Sequence, residues 1–271
     1  MKPCASLSSF RRRVAPSVLA ALAALLLPAC TPLYAPNAVD APLFGEAGEV
    51  QAAGYLGSNG MEGQAAAALP GHIGVMAHVQ AYRFGDRKRA IRNDRDFRRH
   101  TFAEGALGYY GSALLPEPLR YGIYAGYGRG QAEAIDFSSF LSLTPDAFVD
   151  EGRFERLFVQ GHLGVRAPFA PLDLFGGSGG IDVAGTLRAT RVRFYEFERD
   201  ATTAPGSQTR MFVEPATTVR VGTRHVQFET QGGLSWPVHS TEESRFGFIP
   251  LFFSFGVRAR FNALRFGKRL F

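Results

Sequence analysis

The chain has 271 residues, among them 31 Gly, 24 Phe and 9 Tyr against one Trp and two Cys. That length suits one large all-β domain or two small ones, and the lack of a long apolar run beyond the first 29 residues excludes a helical membrane protein while allowing a barrel whose alternating strands average out in hydropathy. Residues 1–29 hold four of the 30 Lys and Arg and none of the 24 Asp and Glu, so the remainder carries 26 basic against 24 acidic side chains and gives no argument for nucleic acid.

Lys2, Arg11, Arg12 and Arg13 precede a run from Val14 to Leu27 that is almost wholly apolar. A basic stretch followed by a short apolar one has the form of a secretory signal. It is too short for a membrane-spanning helix, which needs ~20 apolar residues. The run ends Leu27-Pro28-Ala29-Cys30, which resembles the lipobox of bacterial lipoproteins, although Pro28 stands where Ala, Ser or Thr is usual. The resemblance implies a signal peptide over 1–29, cleavage before Cys30, a diacylglycerol on its thiol and an acyl chain on its new amine. Each buried CH₂ contributes ~0.8 kcal/mol, and stable anchoring needs more than one chain. Thr31 follows, not the Asp that retains such proteins at the inner membrane, so the same resemblance implies an outer-membrane destination. A plain signal peptide with a chance cysteine is the alternative. Cys4 has no apolar run before it, and no cysteine is left for a disulfide.

Residues 30–48, rich in Pro and Ala, read as a lipidated tether, with Leu43 and Phe44 near enough to pack on the domain. Period-2 segments then recur. In Phe154–Arg166, Leu157, Val159, Gly161, Leu163 and Val165 share one face, and Arg156, Phe158, Gln160, His162 and Arg166 the other. Ile73, Val75, Ala77, Val79 and Ala81 alternate with Met76, His78, Gln80 and Tyr82. Ile249 to Phe261 carries an unbroken alternate apolar row. A strand places such residues on one face, whereas a helix scatters them. Strands are predicted at 49–57, 61–69, 72–84, 100–111, 120–131, 154–166, 181–195, 210–223, 225–236 and 247–261.

The longer polar connections, 85–99, 132–153, 196–209 and 237–246, follow odd-numbered strands. The short ones, 69–71, 112–119 and 223–225, follow even-numbered strands, while 58–60 and 167–180 break the rule. This is the alternation of an up-and-down barrel with short periplasmic turns and longer outer loops. The expected fold is therefore an all-β, antiparallel up-and-down β-barrel of about ten strands over residues 49–261, with a tail at 262–271. Eight strands plus an N-terminal hairpin is the alternative. A lipid on Cys30 in the inner leaflet would put both ends of the chain on the periplasmic side.

The row Phe253, Phe255, Val257, Ala259, Phe261 resembles the C-terminal signal of outer-membrane barrels, though ten residues follow it. TPLYAPN, APLFGEAGEVQAAGY, GHIGVMA, AEGALGYY and RYGIYAGYGRG resemble a family of small Gram-negative outer-membrane β-barrel lipoproteins, porin-like and of unassigned function. That resemblance implies outer-membrane lipid as surroundings and brings no catalytic residues.

Glu104, Arg156, Gln160, His162, Glu214, Arg220, Glu229 and Arg258 fall on polar faces and form a candidate lumen cluster, together with Gln227, Gln231 and Arg260. Small barrels fill their interiors with side chains, so a salt-bridged, closed lumen is expected over an open pore. His78 and His162 lack a nucleophile motif, no histidine spacing suits a metal, and no cofactor is expected. Gly-rich FGGSGG at 175–180 lacks the Lys-Ser/Thr of a phosphate loop. Segment 85–100, GDRKRAIRNDRDFRRH, has the arginines to meet lipopolysaccharide phosphates, or it forms internal ion pairs. The expected role is structural, an envelope interaction or a narrow channel, without catalysis. A soluble, lipid-anchored periplasmic barrel that binds an apolar ligand is the main alternative, and it would turn the apolar rows inward. A lipid acyl hydrolase is a more distant one.

Overall fold

The computed structural model describes residues 32–85, 87, 97–113, 119–137, 147–168, 179–199, 202–203, 207–240 and 246–264. Its strands, in chain order, are β1 (Pro32–Tyr34), β2 (Glu49–Gly57), β3 (Gly60–Leu69), β4 (Ile73–Phe84), β5 (Phe97–Ala113), β6 (Leu119–Phe137), β7 (Ala147–Pro168), β8 (Gly180–Arg199), β9 (Thr202–Thr203), β10 (Gln208–Gly222), β11 (Val226–Leu234), β12 (Trp236–Ser240), β13 (Gly247–Phe248) and β14 (Leu251–Asn262).

Antiparallel pairing runs from β2 to β8, on to β10, β11 and β14, and β14 closes on β2 from Asn262↔Glu49 to Ser254↔Gly57. The result is a closed ten-stranded barrel. Closure removes the sheet edges along the ten staves, and the short β12 and β9 are left with one partner each. β12 carries the β11 line past Ser235 along β10, β9 hairpins back on the end of β8, and β1 pairs in parallel with β13. All ten predicted strands form. β2 and β3 are full staves with partners on both sides, so the eight-strand alternative is not the arrangement adopted.

The wall is of unequal height. β2 has nine residues and β7 has 22. At ~3.3 Å per residue, β7 is about 70 Å of chain. The excess of β5 to β8 lies at the end where the longer connections are, forming a tower beside a low lip made by the β2–β3 turn and the start of β14. The two-residue turn at Ser58-Asn59 is closed by Gly60 at φ +115°, where a Cβ would meet the Ala81 carbonyl oxygen at 2.4 Å.

The segment before β2 corrects the tether reading. From Leu33 to Phe44 every residue is buried, because this stretch runs down the inside of the barrel. It enters beside β13 at the long-connection end, where Ile249 N–H donates to the Tyr34 carbonyl. It leaves at the short-turn end, where Gly45 N–H donates to Glu49. Residue 32 and residue 49 are therefore at opposite ends, and the expectation that both chain ends share one side is corrected for the N-terminal end.

Candidate functional site: the barrel lumen

Alternation decides which side chains enter the lumen. On β7 the even-numbered residues from Phe154 to Gly164 point in and are buried. The odd row Leu157, Val159, Leu163 and Val165 points out and is exposed by 38–56%. On β14 the row Phe253, Phe255, Val257, Phe261 likewise faces outward, with Ser254, Arg258 and Arg260 inside. The two rows that a soluble ligand carrier would turn inward thus face outward. The apolar outer face is continuous around the barrel, with Leu107, Ile123, Leu187, Val226 and Phe228 all exposed.

All eight predicted lumen residues have their side chains inside, Glu104 at 4% exposure and the other seven buried. Five of them form two centres that grip the threaded segment, and Gln160, His162 and Glu214 bind it singly. In the first, Arg156 pairs with Glu104 and donates to the Asn37 side-chain oxygen at 2.6 Å and to the Tyr34 hydroxyl at 3.1 Å. Arg188 reaches the same Asn37 oxygen at 3.1 Å. The Asn37 amide nitrogen contacts Glu104 at 3.0 Å and His78 Nδ1 at 2.9 Å, while His78 Nε2 lies 2.8 Å from Glu62. With the His78 proton on Nε2, Nδ1 accepts from Asn37 and all these contacts are satisfied together. In the second centre, Glu229 takes Arg220 at 3.0 Å and Arg258 at 2.6 Å, and Arg258 reaches Asp40 at 3.0 Å, Gln51 at 3.0 Å and Tyr55 at 2.8 Å.

The backbone of the segment is held as well as its side chains. Buried carbonyls need donors, and the wall supplies one to seven of those between Pro36 and Leu43. Asn59 serves Pro36, Gln64 serves Ala38, Gln231 serves Val39, Gln160 serves Asp40, Arg220 serves Ala41, His162 serves Pro42 and Arg120 serves Leu43. Gln231 also accepts from the Val39 N–H at 2.9 Å, so one side-chain amide replaces a neighbouring strand. Pro36 and Pro42 have no N–H to satisfy. At Gly164 a Cβ would stand 2.6 Å from Leu43, and at Gly126 one would stand 2.3 Å from the Phe158 ring, so these glycines give the lumen its width.

Above the charged waist the contents change. Leu33, Tyr34, Phe102, Phe154, Val192, Phe194, Phe197, Phe212 and Phe246 make one buried apolar cluster. Tyr34 stacks on Phe212 at 5.0 Å, and its hydroxyl donates to Glu214 at 3.0 Å. Below the waist, Phe44 meets Tyr110 edge-on at 5.1 Å and Tyr124 stacks on His162 at 5.6 Å.

Asn37, Asp40, Glu62 and Arg188 are among the lumen residues absent from the sequence-based expectation, with Gln51, Gln64 and Asp182. Arg188 had a signal, since it shares the period-2 face of Asp182, Thr186 and Thr190 on β8. Cys30 lies outside the described residues, as does most of segment 85–100. The described part of that segment turns toward Glu133, which Arg99 approaches at 3.3 Å. Of 175–180 only 179 and 180 are described, and GYGRG lies within β6.

No protein-family model matches the chain, and no curated protein matches it. Among solved structures it is similar to the translocator domain of autotransporter NalP from Neisseria meningitidis, at 12% identity over 79% of this chain and 86% of that one, with a TM-score of 0.42. It is also similar to the transport unit of the autotransporter AIDA-I from Escherichia coli, at 9% identity over 82% and 92%, with a TM-score of 0.30. Likenesses at these scores define neither a family nor a function for this chain.

Proposed function

We propose that the protein is an outer-membrane barrel, made as a lipoprotein on Cys30, whose lumen is closed by its own residues 33–44 and whose role is structural or an envelope interaction rather than catalytic. The observation that carries this reading is the unbroken apolar outer face around a polar, occupied interior. On β7 the outward apolar row from Leu157 to Val165 covers nine residues, against the ~9–11 that cross a bilayer. Arg129, Glu155 and Arg193 then follow side by side on the outside of β6, β7 and β8. Exposed aromatics stand toward both ends, with Tyr109 and Phe261 at one and Phe84, Tyr195 and Trp236 at the other, as interfacial girdles do. Two of the buried histidines hold the segment, His78 through Asn37 and His162 through the Pro42 carbonyl, while the third, His100, stacks on Phe154.

The test uses Cys30→Ala carried on a conventional cleavable signal peptide, with membranes washed in carbonate or urea. Retention with a heat-modifiable gel band is expected. Release as a folded soluble protein would overturn the membrane-spanning reading.

A further inference from the structure

We infer that the lipid on Cys30 is seated in the outer leaflet, so that the chain is anchored at the cell surface and not from the periplasm. The inference rests on the lipoprotein and outer-membrane readings above and adds the side of the membrane, which the threading of the lumen determines.

Three observations fix the direction. Pro32 pairs with Gly247 and Tyr34 with Phe248, while the Pro36 carbonyl takes the Asn59 side chain from the β2–β3 turn. The start of the described chain is thus at the end that holds the Ser58-Asn59 turn and the connections 85–96, 138–146 and 241–246. At the other end, Arg120 donates to the Leu43 carbonyl at 2.6 Å, Gly45 meets Glu49, and Asn262 of β14 reaches Glu46 at 2.8 Å. The intervening residues are bonded to the wall one after another, so the segment crosses the whole barrel. In an up-and-down membrane barrel the longer loops face outside and the short turns face the periplasm. Here the turns at 70–72 and 223–225 are at the end where β2 starts and β14 finishes.

The entry point then fixes where the anchor starts. Pro32 pairs with Gly247 of β13, while Leu33 and Tyr34 pack against Phe102, Phe154 and Phe194 of the tower. Gly247, the partner of Pro32, lies six residues before Phe253, where the outward apolar row of β14 begins. Cys30 is two residues before Pro32, a reach of at most ~7 Å. The acyl chains therefore start at the long-connection end of the barrel, within about 30 Å of chain from Phe253, the first residue of the apolar row. An inner-leaflet anchor would need residues 31–44 to pass the full length of the barrel outside the lumen, giving up every contact from Tyr34 to Gly45. The consequence is a barrel held from both sides: its threaded segment is fixed by lipid at the outer end and by β2 at the inner end, and it cannot slide in either direction.

The test places one short peptide epitope between Thr31 and Pro32 and, in a second protein, the same epitope between Arg224 and His225. Intact cells are stained with antibody, then stained again after permeabilisation. The N-terminal epitope is expected to label on intact cells and the 224–225 epitope only after permeabilisation. Labelling of the N-terminal epitope only after permeabilisation, or of both epitopes on one side, would overturn the inference. If either insertion abolishes the heat-modifiable band, Ser58→Cys and Arg224→Cys are reacted with a membrane-impermeant maleimide on intact cells. Reaction at 58 alone supports the inference, and reaction at 224 contradicts it. Radiolabelled palmitate in the wild type but not in Cys30→Ala reports the lipoprotein reading separately, so a failure of that reading is distinguishable from a failure of the side.

Discussion

The lower and upper halves of β8 are built on opposite rules. From Val183 to Ala189 the outward side chains are Val, Gly, Leu and Ala, and the inward ones are Ala184, Thr186 and Arg188 beside Asp182. From Arg191 to Phe197 the outward ones are Arg191, Arg193, Tyr195 and Glu196, and the inward ones are Val192, Phe194 and Phe197. β7 changes at the same level, with Leu157 outside and Gln160 inside below, and Glu155 outside and Phe154 inside above. On the outer-membrane reading proposed above, one strand crosses from a lipid solvent to water. In lipid the apolar face turns outward and the polar groups must satisfy one another inside. In water the apolar face turns inward, driven by burial at ~25 cal/mol per Å². The backbone pattern does not change at the boundary; only the choice of face does.

That contrast can be broken by substitution at each level. Arg258→Ala should have the largest effect in the belt, because it leaves Asp40 buried without its arginine and takes one of two arginines from buried Glu229, at about 3–5 kcal/mol. Unfolding in detergent, followed by loss of the heat-modifiable band, measures it. Phe194→Ala should cost about 3–5 kcal/mol in the tower by opening a cavity against Phe154 and Phe246. There the low-salt and high-salt values should agree, since no charge is involved. Leu187→Arg on the outside of the belt should cost about 2–4 kcal/mol, or fail to insert. Arg193→Leu, three residue pairs higher on the same face, should stay within about 0.5 kcal/mol, as a partly exposed pair with Glu155 contributes little.

The ten strands were legible because period-2 alternation survives whichever face is buried. Their polarity was not, for the same reason: alternation says that Leu157 and Arg156 are on different faces, not which face meets the solvent. Closure of the barrel answers that, since only one face fits inside. The threaded segment was harder still. Residues 33–44 form no helix and almost no strand, so they have no period to read, and prolines that suit a spacer equally suit a buried extended chain with few N–H groups to satisfy. The trace that remained was polar, in the form of Asn37 and Asp40 set in an otherwise apolar stretch. The arginines that receive them come from β7, β8 and β14, more than a hundred residues away.

The most direct test of the two-solvent strand is nitroxide accessibility on β8. Leu187→Cys and Arg193→Cys would each be labelled in Cys30→Ala protein reconstituted in lipid, and relaxation by oxygen compared with relaxation by a water-soluble nickel complex. Oxygen should dominate at 187 and nickel at 193. Equal, nickel-dominated relaxation at both positions would contradict the account, because the apolar row would then stand in water.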